Sequence, residues 1–314
     1  MVRKILLATG ILVLVVAAGI LFLSAFMLKM GVCPDMEGKS IEEAWEYMDE
    51  HYPGIQEWYT DLCERGFVED AQKDMEGFET HAWLIRAEQP SEKTAIVIHG
   101  YTSNPPGIIM LARMYREEFG YNVVLPHLRY HGESGGSHAQ MGWKDRLDVL
   151  EWAEYAHEKF ADTLQVVHGI SMGGATTMML SGEDTPEYMK GFVDDCGYTC
   201  VWDIFEKSGR VDYNMPTTWP TLDLSSIMCR HKYGWDFKEA SALVQVAKCS
   251  KPMLFIHGEN DGFVPTEMVY RLYDAKTQGY KKLWIAPGSE HAQSYYDHSA
   301  EYTAVVADFL KIIE

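Results

Sequence analysis

Positive charge is scarce in this chain: 27 Lys and Arg stand against 46 Asp and Glu among 314 residues, a net charge of -19. Nucleic-acid phosphates need Lys and Arg opposite them, so nucleic acid is not an expected partner. The same acidity argues against docking of the folded part on an anionic lipid surface. Metal and nucleotide signatures are missing too. There is no C-x-x-C pair, hence no zinc ribbon or dithiol motif, and no H-E-x-x-H helix. Gly132-Glu133-Ser134-Gly135-Gly136 is glycine-rich but lacks the G-K-[ST] ending of a phosphate loop. His127, His131 and His138 lie around that stretch without a metal-ligand spacing and are read as loop structure. No cofactor and no metal are therefore expected. Internal repeats and low-complexity tracts are also lacking, and 47% hydrophobic against 23% charged residues excludes wholesale disorder.

One long apolar run is present. Ile5 to Leu28 carries no charge and is interrupted only by Thr9, Gly10, Gly19 and Ser24. As a helix it is about 36 Å long, enough for a hydrocarbon core of about 30 Å. A secretory signal has a shorter apolar stretch, and Lys29-Met30-Gly31-Val32-Cys33 is a poor cleavage site. Residues 1–29 are expected to be an uncleaved transmembrane anchor in contact with the lipid bilayer. Arg3 and Lys4 precede the run, which places the amino terminus in the cytoplasm and the rest outside. Setting those two and Lys29 aside leaves 24 of the 27 basic residues facing 46 acidic ones. Six cysteines (Cys33, Cys63, Cys196, Cys200, Cys229, Cys249) could form disulfides on the outer side or remain buried thiols; both readings stay open.

Residues 30–77 read as an N-terminal extension. Within it, Ser40-Ile41-Glu42-Glu43 is a capping box that opens a helix to about Glu50, and Pro53-Gly54 ends that region. From Phe78 to Glu314 short apolar runs alternate with helical patterns. Strands are predicted at Thr80–Ala87, Thr94–His99, Asn122–Pro126, Leu164–Gly169, Gly191–Asp194, Met253–His257 and Lys282–Ala286. Helices are predicted at Ile108–Phe119, Trp143–Phe160, Met172–Leu180, Thr266–Thr277 and His298–Ile313. Such alternation implies an α/β fold with parallel strands and crossover helices. Gly197–Ser250 breaks the rhythm and has no clear strand, as expected of a lid or insertion.

The chemistry starts at Gly169-Ile170-Ser171-Met172-Gly173, a G-x-S-x-G set between an apolar strand and a helix. A serine on such a turn needs small neighbours because the flanking chains approach closely. It also sits at a helix amino end, where the dipole favours developing negative charge. A serine hydroxyl is a weak nucleophile until a base takes its proton. Base and orienting acid are expected later, at strand ends, in the order Ser, Asp, His. Asp261 follows one apolar strand and His291 the next. Glu259 is a rival acid two residues from Asp261. The oxyanion donors expected are the backbone amides of Met172, after the nucleophile, and Tyr101, after the strand that ends at His99. Asp194 and Asp195 could do acid chemistry or bind a cation, but one of them capping the next turn is the simpler reading.

With His99-Gly100-Tyr101, Arg129-Tyr130-His131-Gly132-Glu133-Ser134, Gly169–Gly173, Asp261 and His291 in this order, the chain from about Phe78 resembles an α/β-hydrolase. It is similar to bacterial membrane-anchored members of the serine-aminopeptidase-like and esterase group. The resemblance implies an eight-stranded, mostly parallel sheet with helices on both faces and a lid at about 197–250, after the sixth strand. Many relatives read Asp-x-Arg-Gly-His-Gly-x-Ser; here His127 and Tyr130 replace the Asp and the first Gly, a change that bears on substrate preference. The leading expectation is a serine hydrolase that cleaves a carboxylic ester through an acyl-enzyme. A peptidase acting on short peptides is the second, and a non-catalytic binding protein on the same fold the third. Oligomeric state is open.

Overall fold

The computed structural model describes residues 2–37 and 39–314. Met1 of the expected anchor and Gly38 of the expected extension lie outside the described residues. The chain begins with three helices, α1 (Val2–Val32), α2 (Ile41–His51) and α3 (Ile55–Glu64). The capping box of α2 is complete: Glu43 N donates to Ser40 Oγ at 3.2 Å and Ser40 N to the Glu43 carboxylate at 3.0 Å. The Pro53-Gly54 stop is succeeded at once by α3, which the sequence reading lacks. Gly54 takes the left-handed conformation (φ 80°) that reverses the chain there.

An eight-stranded sheet comes next, with β1 (Val68–Met75), β2 (Phe78–Ile85), β3 (Lys93–Ile98), β4 (Asn122–Pro126), β5 (Leu164–Ile170), β6 (Met189–Asp195), β7 (Met253–Gly258) and β8 (Lys281–Ala286). Its order is β1-β2-β4-β3-β5-β6-β7-β8. The pairs β1–β2 and β2–β4 are antiparallel and all others parallel. This is the α/β-hydrolase arrangement expected. The sheet begins ten residues before Phe78, because β1 pairs along its length with β2. That strand, Val-Glu-Asp-Ala-Gln-Lys-Asp-Met, buries only Ala71 and Met75, so its sequence shows no apolar run. An edge strand with charged side chains is also protected against edge-to-edge pairing.

The helices between strands are α4 (Ile109–Arg113), α5 (Asp145–Phe160), α6 (Met172–Leu180), α7 (Val201–Lys207), α8 (Thr221–Tyr233), α9 (Ala242–Val246) and α10 (Glu267–Ala275), and α11 (Ser294–Asp297) and α12 (Ser299–Ile313) follow β8. The predicted helix Ile108–Phe119 is broken into a 3-10 turn, α4 and a π turn, since Pro105-Pro106-Gly107 opens it tightly. Two cores flank the sheet. On one face Ile96 and Ile98 meet Trp152 of α5 and Met178 of α6. On the other, Ala95 and Val97 join Tyr115 and Phe309 of α12. Alternate residues of β3 thus serve opposite faces, as strand geometry requires. The lid occupies the link between β6 and β7 and is helical, comprising α7, a π turn at Ser208–Asp212, α8 and α9. All six cysteines are free thiols.

Helix α1 divides into two parts. Up to Leu23 its large apolar side chains other than the half-buried Ile20 are exposed. From Ser24 on one face packs on the body: Ser24, Leu28 and Val32, four residues apart, form a buried stripe, while Phe26 and Met30 stay exposed. Ser225 of α8 donates to the Ser24 carbonyl at 2.8 Å, and the Ala139 amide to the Val32 carbonyl at 2.7 Å. The Tyr101 hydroxyl donates to the Gly31 carbonyl at 2.9 Å. The last carbonyls of a helix lack intrahelical donors; here the body supplies them.

Candidate active site

Ser171 stands between β5 and α6 with φ 57° and ψ -116°. A non-glycine residue in that region is strained, and the surroundings must hold it. Its amide donates to the Asp195 carbonyl at 2.8 Å, and its carbonyl accepts from Ala175 N at 2.9 Å. Gly169 and Gly173 make the turn possible by close approach. A Cβ on Gly169 would strike the Gly173 carbonyl, and one on Gly173 the Ile98 carbonyl of β3. The sheet order β3-β5-β6-β7-β8 then brings loops distant in sequence to one rim, where open parallel sheets carry their ligands.

At that rim His291 Nε2 lies 2.9 Å from Ser171 Oγ, and His291 Nδ1 lies 2.7 Å from Asp261 Oδ2. With the Nδ1 proton donated to the carboxylate, Nε2 is left to accept from the serine hydroxyl. Ser171 and Asp261 are buried and His291 half-buried. Asp261 Oδ1 accepts from the amides of Phe263 (2.9 Å) and Val264 (2.8 Å), so the loop itself holds the carboxylate. Burial would raise this carboxyl, but hydrogen bonds from His257 and His291 prevail and hold it down at about 2. Glu259 is exposed and instead accepts from the Gly288 amide at 2.8 Å.

Tyr101 and Met172 flank the same point. Gly100, just before Tyr101, approaches so closely that a Cβ on it would sit 3.4 Å from Ser171 Cβ. As first residue of α6, Met172 has an amide without an intrahelical acceptor. The three histidines of the glycine-rich stretch serve its folding. His131 Nε2 accepts from the Thr102 amide at 3.2 Å, His127 Nδ1 from the Glu133 amide at 3.0 Å, and His138 Nδ1 meets Ser137 Oγ at 2.9 Å. Tyr130 has φ 70°, the left-handed conformation that suits the glycine of the related pattern, and its hydroxyl donates to the Pro34 carbonyl at 3.2 Å. Cys196, Asp261 and His291 also lie close enough to hold a metal ion, but two of the three are already hydrogen-bonded to each other.

Sequence reasoning missed two groups. His257, at the end of β7, donates Nε2–H to the Val264 carbonyl (2.9 Å) and lies 3.3 Å from Asp261 Oδ2, bracing the carboxylate from behind. Its position four residues before Asp261 on a buried strand was the available signal. The second group is a buried polar chain beneath the site. Tyr302 donates to Asp195 Oδ2 at 2.8 Å, His168 Nε2 lies 2.8 Å from the Tyr302 hydroxyl, and Tyr115 lies 3.0 Å from His168 Nδ1. Asp194 accepts from the Gly197 amide at 3.0 Å and so caps the turn after β6.

Burial pushes Asp194 up to about 7 and Asp195 to about 6. A carboxyl raised in this way favours the folded state at low pH, and the contribution is lost as pH rises through the raised value. Asp194→Asn keeps an oxygen for Gly197 and removes the charge. It is expected to raise Tm by a few degrees at about pH 8 but little at about pH 4. Thermal melts at both pH values check this; equal shifts would mean that burial does not raise the Asp194 carboxyl in the fold.

Comparison with known proteins adds a family. The sequence model of the prolyl oligopeptidase family matches residues 110–313. The uncharacterized protein YqkD of Bacillus subtilis (strain 168) is 28% identical over 310 residues, covering 98% of this chain and 97% of that protein. The uncharacterized membrane protein YNL320W of Saccharomyces cerevisiae is 23% identical over 229 residues, 73% of this chain and 74% of that one. Among solved structures, the Pyrococcus furiosus esterase Pf2001 superposes with a TM-score of 0.65 at 23% identity, over 81% of this chain and 93% of its own.

Proposed function

Since the chain belongs to the prolyl oligopeptidase family and is a hydrolase of the α/β-hydrolase fold, we propose that it cleaves a carboxylic ester through an acyl-enzyme on Ser171. His291 takes the Ser171 proton and returns it to the leaving alcohol. Asp261 holds the imidazole tautomer and stabilises the imidazolium that forms. The amides of Tyr101 and Met172 receive the tetrahedral oxyanion, each such donor being worth about 3–4 kcal/mol of barrier. The observation that carries this reading is the unbroken relay of 2.9 Å and 2.7 Å from Ser171 through His291 to Asp261.

The family name supports a second reading, a peptidase acting on short peptides; the lid would restrict access to longer ones. A fluorophosphonate probe tests the shared chemistry. It is expected to label the wild-type chain at Ser171 and to leave Ser171→Ala unlabelled. Absence of labelling in both would overturn the assignment of the nucleophile. Turnover of short-chain aryl esters compared with aminoacyl amides separates the two readings, and faster aminoacyl cleavage would favour the peptidase.

The same reading assigns residues 1–29 to a single-pass anchor in the cell membrane and 78–314 to the catalytic domain, whose sheet also takes in β1 from the 30–77 extension. Arg3 and Lys4 put the amino terminus in the cytoplasm and the catalytic domain outside. The length and exposed apolar surface of α1 support the anchor.

A further inference from the structure

The hydrolase body alone does not close the cavity at Ser171. It measures about 460 Å³, and five of the side chains and backbone positions that line it, Leu23, Phe26, Met27, Met30 and Gly31, belong to the carboxyl end of α1. The facing wall is lid, with Phe205 and Leu222 among its members. At Gly31 helix and lid are so close that a Cβ would sit 2.9 Å from the Phe205 ring. Asp212 is the charged residue among the lining, and it is already bound by Lys207 and Ser208. The reactive hydroxyl therefore opens onto an apolar chamber, one wall of which is the helix that is apolar enough to enter a bilayer.

The two parts of α1 fix where that chamber lies. The exposed part, Val2–Leu23, spans about 33 Å at 1.5 Å per residue, close to the thickness of a hydrocarbon core. The part bound to the body begins at Ser24, next to Leu23, the first residue of α1 that lines the cavity. On the lid beside it, Val211, Tyr213 and Trp219 are exposed, and Tyr213 itself lines the cavity. Tyr and Trp favour the membrane–water boundary. With the exposed part of α1 in a bilayer, as proposed above, the cavity would lie at the membrane surface, beside apolar side chains that a hydrocarbon chain can follow.

Resting on the serine-hydrolase reading above, we propose that the substrate is a membrane-resident long-chain acyl ester, whose chain passes from the bilayer along α1 into this cavity. Ser171 Oγ bonds to the acyl carbon as the ester C–O bond breaks, and the serine proton leaves with the alcohol by way of His291. Water then supplies hydroxyl to the acyl carbon and a proton to Ser171, releasing a long-chain carboxylic acid.

The test uses the full chain in phosphatidylcholine vesicles, with para-nitrophenyl palmitate and para-nitrophenyl butyrate as probes. Palmitate is expected to have the larger kcat/KM. Met27→Trp and Met30→Trp, which fill the chamber from the α1 side, are expected to lower the palmitate-to-butyrate ratio by about tenfold or more. Leu14→Trp, on the part of α1 away from the cavity, leaves the ratio unchanged. Butyrate turnover and fluorophosphonate labelling of each variant report that the site is folded. If butyrate is cleaved but palmitate is not preferred, or the two tryptophan variants leave the ratio unaltered, the inference is overturned while the serine-hydrolase reading stands. If neither ester is cleaved and Ser171 takes no label, both fall together.

Discussion

Ser171→Ala is expected to lower kcat on a short-chain aryl ester by on the order of 10⁵–10⁶-fold, as loss of a triad nucleophile does elsewhere. The reason is geometric. Ser171 Oγ is the hydroxyl hydrogen-bonded to His291 Nε2, and the strained turn presents it beside the Tyr101 and Met172 amides. Alanine removes the atom that attacks but keeps the Cβ and the turn, so the fold should survive. Residual activity would come from the oxyanion donors and from binding alone. The measurement is steady-state turnover, with thermal melts confirming that the variant is folded. A loss of less than about tenfold would mean that another group carries the chemistry.

Asp261→Asn should lower kcat by about 10⁴-fold while leaving the loop in place, because the wrong imidazole tautomer is then favoured. Asn can still accept from the amides of Phe263 and Val264 through one oxygen. Its NH₂ group would then face His291 Nδ1 and make that nitrogen an acceptor. The imidazole proton would move to Nε2, the atom that must receive the proton of Ser171. The substitution also removes a pH-dependent stability. Asp261 is held below its ordinary value of 3.8, at about 2. Its contribution is therefore present above 3.8 and disappears as pH falls through the lower value. Wild type should lose stability over that interval faster than Asp261→Asn, which acid-unfolding curves would show. If Asp261→Asn and Glu259→Gln cost the same activity, the orienting acid would be misassigned.

Most of the sheet could be read from composition along the chain. Residues 95–98 of β3 and 253–256 of β7 are apolar runs because both faces of the sheet are covered. The nucleophile turn was legible for the same reason, a local pattern of small residues between strand and helix. β1 escaped because an edge strand with only Ala71 and Met75 buried has no apolar run to recognise. α3 escaped because Pro53-Gly54 marks the end of one helix and leaves the next element unspecified. For His257 the spacing of four residues before Asp261 is the only local signal, and it does not say that the ring packs against that carboxylate.

The order of elements, the turn bearing Ser171 and the candidates Asp261 and His291 were legible in the chain before it is folded, since each depends on side-chain periodicity or turn chemistry within a few residues. Folding in three dimensions was needed to show that Asp261 and not Glu259 faces the imidazole, because the two differ only in where one loop points them. It also brought His291 across 120 residues to Ser171, through the strand order of the sheet. Finally, it divided α1 into an exposed part and a part that walls the cavity. A uniformly apolar helix looks the same on every face, so which of its residues meet protein is settled only by what packs against them.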